Sequence, residues 1–197
     1  MTARAGMTDL IASLRGMTNA GTVDYTIGSV SYWSDDHLQA KLDAHRLDFY
    51  ENALDQISTI EGGAVVYKIY RAPYRNLESG TVNFKLTDFQ GTQAGTADYT
   101  ADCTTGLIVF SADQAGKDWY LTGRSYDIYA AAAEVWRMKA AHASETSFDF
   151  SSDNHSVKGS NVPAQCLKMA DYYERQSMMS SLSVTGGNTI LIERSDT

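Results

Sequence analysis

Several sets of residues in this sequence have types and spacing that invite chemistry. Asp149, Ser151, Asp153 and His155 alternate like the oxygen donors that open a calcium loop. The position of the bidentate glutamate holds Ser160, however, and Asn154 stands where the sharp turn needs glycine. The stretch therefore reads as an Asx- and Ser-rich linker that caps a following helix. Asp98, Asp102, Asp113 and Asp118 fall in polar stretches, where solvated turn residues explain them better than a cation site does. His37, His45, His142 and His155 include no pair at the His-Glu-x-x-His spacing of a zinc helix. His142 continues an apolar stripe and reads as a packing residue. Cys103 lies in a turn with no neighbouring base to activate a thiol. No Gly-x-Ser-x-Gly elbow and no phosphate-cradling glycine motif is present. Lys68, Arg71 and Arg75 interleave with Tyr67, Tyr70 and Tyr74. That pattern suits a nucleic-acid surface, but a β edge guarded by charge explains it more simply. Tyr and Arg are also enriched at protein interfaces. Tyr67, Tyr70, Arg71, Tyr74, Arg75 and, further on, Trp136 are therefore subunit-interface candidates. No catalytic residue, metal or cofactor is assigned, and the chain is expected not to be an enzyme.

The elements that carry these residues can be read in order. Thr8 is placed to cap a short helix bearing Leu10, Ile11 and Leu14, with Gly16 ending it. Tyr25 to Trp33, with a Gly-Ser pair at its centre, reads as a tight hairpin. Ser34 then caps a helix with Asp35 and Asp36 in its first turn. Leu38, Leu42, His45, Phe49, Ala53, Gln56 and Ile60 keep helical spacing, so one long helix is expected up to Glu61-Gly62-Gly63.

From Ala64 the pattern alternates with period two. Val65, Tyr67 and Ile69 form one strand, Val82, Phe84 and Leu86 another, Leu107 to Phe110 a third and Trp119 to Leu121 a last short one. Gly, Thr, Asp and Gln separate them, which predicts a small antiparallel sheet or sandwich. Helical spacing returns with Ile128, Ala131, Ala132, Val135, Met138 and His142, with Ser125 as the expected cap. A final helix is predicted to start at Asn161-Val162-Pro163 and to carry Val162, Cys166, Met169 and Tyr173 on one face. Beyond Ser177 the chain holds Leu182, Val184, Ile190, Leu191 and Ile192, apolar or β-branched residues that suit strand addition to a partner.

The expected fold is thus α+β. An antiparallel core of about four helices is interrupted by an inserted small β-sheet or sandwich, and an extended C-terminal tail follows. The boundaries drawn are 1–63 and 125–180 for the helical halves, 64–124 for the β insertion and 181–197 for the tail.

The alanine-rich helix SYDIYAAAAEVWRMKAAHA, an Asp-Phe-Ser-type linker and a helix ending in a Met-Ala-Asp-Tyr-Tyr pattern resemble the head–tail connector (adaptor) proteins of tailed bacteriophages. The resemblance is good from Ser125 to Ser177 and looser from Thr8 to Ile60. It implies a virion protein at the neck, made in the host cytoplasm, that forms a ring beneath the portal. By family analogy the ring is a dodecamer that extends the DNA channel, lets DNA pass through its lumen and offers a platform to the next neck or tail protein. The implied partners are the portal protein, further copies of the chain and that next component, with the tail docking on the portal or a neighbour.

Composition fits such a part. The 197 residues suffice for a core without staples. A formal charge of −8 opposes general or sequence-specific nucleic-acid binding, which needs cations to displace counterions from phosphate. Two distant cysteines make no disulfide framework. No run approaches the ~20 apolar residues of a membrane span. The competing expectation is a carbohydrate- or ligand-binding module in which Tyr70, Tyr74, Trp119 and Tyr120 form an aromatic platform on the β insertion.

Overall fold

The computed structural model describes residues 3–80, 82–146, 149–152, 155–158 and 161–177. The chain divides into two compact units, Met1–Ile128 and Tyr129–Thr197.

The first unit opens with a 3-10 turn, Ala5–Met7, and helix α1, Thr8–Thr18. Leu10, Ile11, Leu14 and Thr18 recur on one side of α1 and are buried. Neither expected terminator acts as foreseen. The Thr8 hydroxyl donates to the Ala5 carbonyl, and Gly16 lies inside the helix. Asn19 ends it in the left-handed conformation, with its N–H on the Arg15 carbonyl. The expected hairpin follows as β1, Tyr25–Ile27, and β2, Val30–Tyr32, paired Ile27 to Val30 across Gly28-Ser29. Helix α2, Asp35–Ala44, starts where Ser34 accepts a bond from the His37 N–H.

The single long helix foreseen from Ser34 to Ile60 does not exist. After Ala44 the chain becomes β3, Arg46–Ala53, and β4, Asp55–Glu61. Glu61 pairs with Ala64, so Gly62-Gly63 is a two-residue hairpin turn to β5, Ala64–Arg71, rather than a helix stop. Both glycines have positive φ, 59° and 83°, as a type I′ turn requires. Strands β6, Phe84–Asp88, β7, Tyr99–Asp102, β8, Leu107–Phe110, and β9, Trp119–Tyr126, complete the unit.

Two antiparallel sheets result, in the orders β3-β9-β6 and β4-β5-β8-β7. Both face one apolar core. Phe49, Leu86 and Leu121 enter it from the first sheet, and Tyr70, Ile108 and Phe110 from the second. Phe110 stacks on Trp119 with ring centres 5.0 Å apart. In β9 the buried residues Trp119, Leu121, Gly123 and Ser125 alternate with half-buried ones. A Cβ on Gly123 would lie 3.0 Å from the Phe49 ring, tighter than side chains ordinarily pack.

The second unit takes in helix α3, Ile128–Thr146, from Tyr129 onward. Hairpin β10, Asp149–Ser152, with β11, His155–Lys158, and helix α4, Asn161–Gln176, complete it. Ala131, Ala132, Ala133, Val135 and Ala140 are buried along α3, and Cys166 and Ala170 along α4. Tyr129 and Tyr173 stack between the helices, and Arg137 pairs with Glu174. The expected helix cap, Ser125, belongs to β9, where its hydroxyl donates to the Arg75 carbonyl at 2.7 Å.

A helical core interrupted by a small inserted sheet is therefore overturned. The described residues hold four α-helices beside four antiparallel sheets, and β3 and β4, which precede residue 64, belong to the same two sheets as the strands after it. The linker expected around Asp149–His155 folds as a hairpin.

Candidate functional site

The densest polar constellation among the described residues is centred on Glu78, whose side chain is 0 % exposed. Four elements and a connecting loop bring its neighbours together. Arg4 comes from the N-terminal segment, Asp43 from the last turn of α2, Asp48 from β3, Arg124 and Tyr126 from β9, and Asn83 from the loop before β6. Arg4 Nε donates to Glu78 Oε1 at 2.9 Å, and its two terminal nitrogens grip Asp43 at 2.9 and 2.7 Å. The fork of a guanidinium suits this geometry, and an ammonium would not. Tyr126 Oη donates to Glu78 Oε2 at 2.5 Å, and Asn83 Nδ2 to Oε1 at 2.9 Å. Arg124 adds Nη1 at 3.4 Å from Oε2 and reaches Asp48 at 3.3 Å.

Burial alone would push the Glu78 carboxyl up. Bonds from Arg4 and Tyr126, with the charges of Arg4 and Arg124, outweigh it and hold the group below the usual range. The bond from Arg4 likewise holds Asp43 low. Burial, then the bond to Glu78, pushes the Tyr126 phenol up. Every oxygen of Glu78 is committed to structural donors, so the cluster offers neither a free base nor an open ligand position. It works as a clasp. Beside it, Ser79 N–H donates to the Gly6 carbonyl at 3.2 Å, and a Cβ on Gly6 would fall 2.1 Å from the Ser79 oxygen.

The other chemical candidates are also spoken for. Asp113 accepts the Tyr67 and Ala115 N–H groups, which hold its carboxyl low. Asp102 is held low by the Thr105 hydroxyl and by the N–H groups of Thr104 and Thr105. Asp98 accepts from Gly95 N–H, and Asp118 from Gln56 Nε2. Burial, then the charges of Asp102 and Asp9, pushes the Cys103 thiol up to about 11, the opposite of activation. His37 stacks on Tyr32 with ring centres 4.9 Å apart. His142 is half-buried on α3. Among the described residues no cluster of His, Cys, Asp and Glu is arranged to hold a metal ion, and no described helix is long and apolar enough to cross a membrane.

The interface candidates separate. Tyr70 is fully buried, with its hydroxyl donating to the Lys117 carbonyl at 2.9 Å, so it is a core residue and not a surface one. Tyr74 leans on Phe49 and accepts from Asn52 Nδ2 at 3.2 Å. Tyr67 is half-buried on β5, while Arg71 and Arg75 are exposed. Trp136 is half-buried on α3 under the Lys139 ammonium. Trp119 is also in the core, so Tyr70, Tyr74, Trp119 and Tyr120 do not make one exposed platform. Leu182, Val184, Ile190, Leu191 and Ile192 lie outside the described residues.

Several apolar side chains on ordered elements are exposed, some of them on stripes that the sequence assigned to helix or strand faces. Ile60 is 78 % exposed beside Val65 near the tip of the β4–β5 hairpin, and Phe89 projects from the turn after β6. On α4, Val162, Met169 and Tyr172 are exposed next to the buried stripe, with Tyr172 at 55 %. The clasp was unforeseen. Its residues are scattered from Arg4 to Tyr126, and no local pattern marks them. No family model and no curated protein matches this chain.

Proposed function

We propose that this chain is a structural ring component of the head–tail connector type, working by assembly beneath a portal and not by turnover. The observation that carries it is the apolar row Val162, Met169 and Tyr172 left exposed on the regular helix α4. Exposed apolar rows on rigid elements favour protein partners, and aromatic anchors such as Tyr172 supply much of the binding energy at such contacts. The clasp around Glu78 supports the same role, because it fixes the N-terminal segment, α2 and two strands in one frame that can be repeated around an axis. The acidic balance of the chain also suits a part whose neighbours are proteins and whose channel wall must not hold DNA. The sequence resemblance over Ser125 to Ser177 points to the partners: portal, further copies and the next neck component.

Native mass spectrometry of the purified chain mixed with its portal tests this. A defined high-order complex is expected. A chain that stays monomeric and ignores the portal would refute it. Truncation after Ser180 should leave the described fold intact and weaken attachment, because the tail is the proposed docking segment. Loss of the fold on truncation would assign the tail to the chain's own core.

A further inference from the structure

We infer that the outer edge of β4 receives residues 188–194 of a second copy of this chain as an added strand; this rests on the ring reading above. β4 ends the order β4-β5-β8-β7, so no described strand pairs with its other edge. It is seven residues long, Asp55-Gln-Ile-Ser-Thr-Ile-Glu61, as long as strands that pair stably elsewhere in the unit. Natural sheets blunt such edges with lysine, proline or a bulge. β4 carries none of these. The register irregularity near its middle steps from Ile57 to Thr59 on β4 but from Ile69 to Val66 on β5, so the extra residue lies in β5 and the edge of β4 stays regular. Charge is confined to the two ends, Asp55 and Glu61, both exposed.

The occupant follows from the chain beyond Ser177. Its only concentrated β-favouring run is Thr189-Ile-Leu-Ile192, followed by Glu193 and Arg194. The intervening stretch 178–187 can extend to about 35 Å, roughly the width of a small domain, which is far enough to leave its own subunit. Laid antiparallel on β4, Arg194 falls opposite Asp55, Ile192 opposite Ile57, Leu191 opposite Ser58 and Asn188 opposite Glu61. That register puts the one cation of the segment against an acidic end of the edge and sets isoleucine beside isoleucine, the cross-strand pairs that stabilise sheets. Donor and acceptor are different surfaces of the chain, so the contact is head-to-tail and can close into a ring.

The test is disulfide trapping between full-length chains. One population carries Ser58→Cys and the other Leu191→Cys, because residues directly opposite in an antiparallel pair are within disulfide reach. Wild-type chain, with Cys103 and Cys166 only, is the control. A covalent dimer is expected in the mixture and in neither population alone. Asp55→Arg in the first population should cut its yield about fivefold, and Arg194→Asp in the second should restore it. A chain carrying both cysteines that links to itself in dilute solution, with no dimer in the mixture, overturns the inference in favour of a chain closing on its own edge. Sedimentation of the same samples separates this from the ring reading. Assembly without the cross-link refutes the β4 contact alone, whereas a cross-link that forms in open, unclosed oligomers supports the contact and refutes the ring.

Discussion

Replacing Arg4 by alanine removes the three short guanidinium bonds of the clasp, one to Glu78 and two to Asp43, and leaves the Glu78 carboxylate buried. Breaking a buried ion pair from one side costs about 3–5 kcal/mol. The Arg4 side chain is 34 % exposed and Asp43 27 %, so water can partly replace the guanidinium. Arg124, at 3.4 Å, keeps some positive charge near Glu78. We therefore expect Arg4→Ala to cost about 2–3 kcal/mol, read in urea as a lower midpoint at unchanged slope. Glu78→Gln, which keeps shape but removes charge, should make the loss of Arg4 cheaper, and the double-mutant cycle should show coupling of about 1–2 kcal/mol. The pH dependence has a definite sign. Glu78 and Asp43 are both held below their ordinary range in the fold, so their stabilisation is complete above that range and is lost as pH falls through the folded values. Wild type should therefore lose more stability on acidification than Glu78→Gln does. An Arg4→Ala cost under about 0.5 kcal/mol, the scale of a solvated surface pair, would refute the clasp.

Other expectations follow from single contacts. Gly123→Ala should cost about 1–3 kcal/mol by overpacking, because its Cβ meets the Phe49 ring at 3.0 Å and the Asn83 carbonyl at 3.3 Å; thermal unfolding checks it. Ser34→Ala should cost about 1 kcal/mol by removing the α2 cap, measured by denaturant midpoint. Cys103 should alkylate slowly at neutral pH, with a rate that climbs as pH approaches 11, because only the thiolate reacts; mass spectrometry of a timed iodoacetamide reaction would show it, and fast labelling at neutral pH would contradict the burial.

What the sequence could say depended on how local each cause was. The β1–β2 hairpin, the Ser34 cap, the start of α4 at Asn161 and the strands β5 and β8 rest on turn chemistry and short-range alternation, and all are present. The helix expected through Ile60 failed because β3 hides its period. Its register shifts between Phe49 and Asn52, where Glu51 takes a positive φ of 48°. A bulge of this kind breaks strict alternation, and Phe49, Ala53, Gln56 and Ile60 are left at spacings that imitate a helix. Ser125 misled for a related reason. β9 runs almost directly into α3, so a strand residue with a cap-like side chain stands just before the first turn.

The clasp lay beyond any local reading. Arg4, Asp43, Glu78 and Tyr126 meet only because the N-terminal segment, α2, the connection before β6 and strand β9 fold around one point, and each looks like an ordinary surface residue in its own stretch of sequence. A partner-seeking surface leaves the opposite trace. Val162 and Met169 share the expected helix face of Cys166 and Tyr173, yet both are exposed in the fold. Periodicity records that a side chain is to be buried without recording by what. Such residues look like core in the sequence and like surface in the isolated chain, and the proposed assembly is one way to reconcile the two.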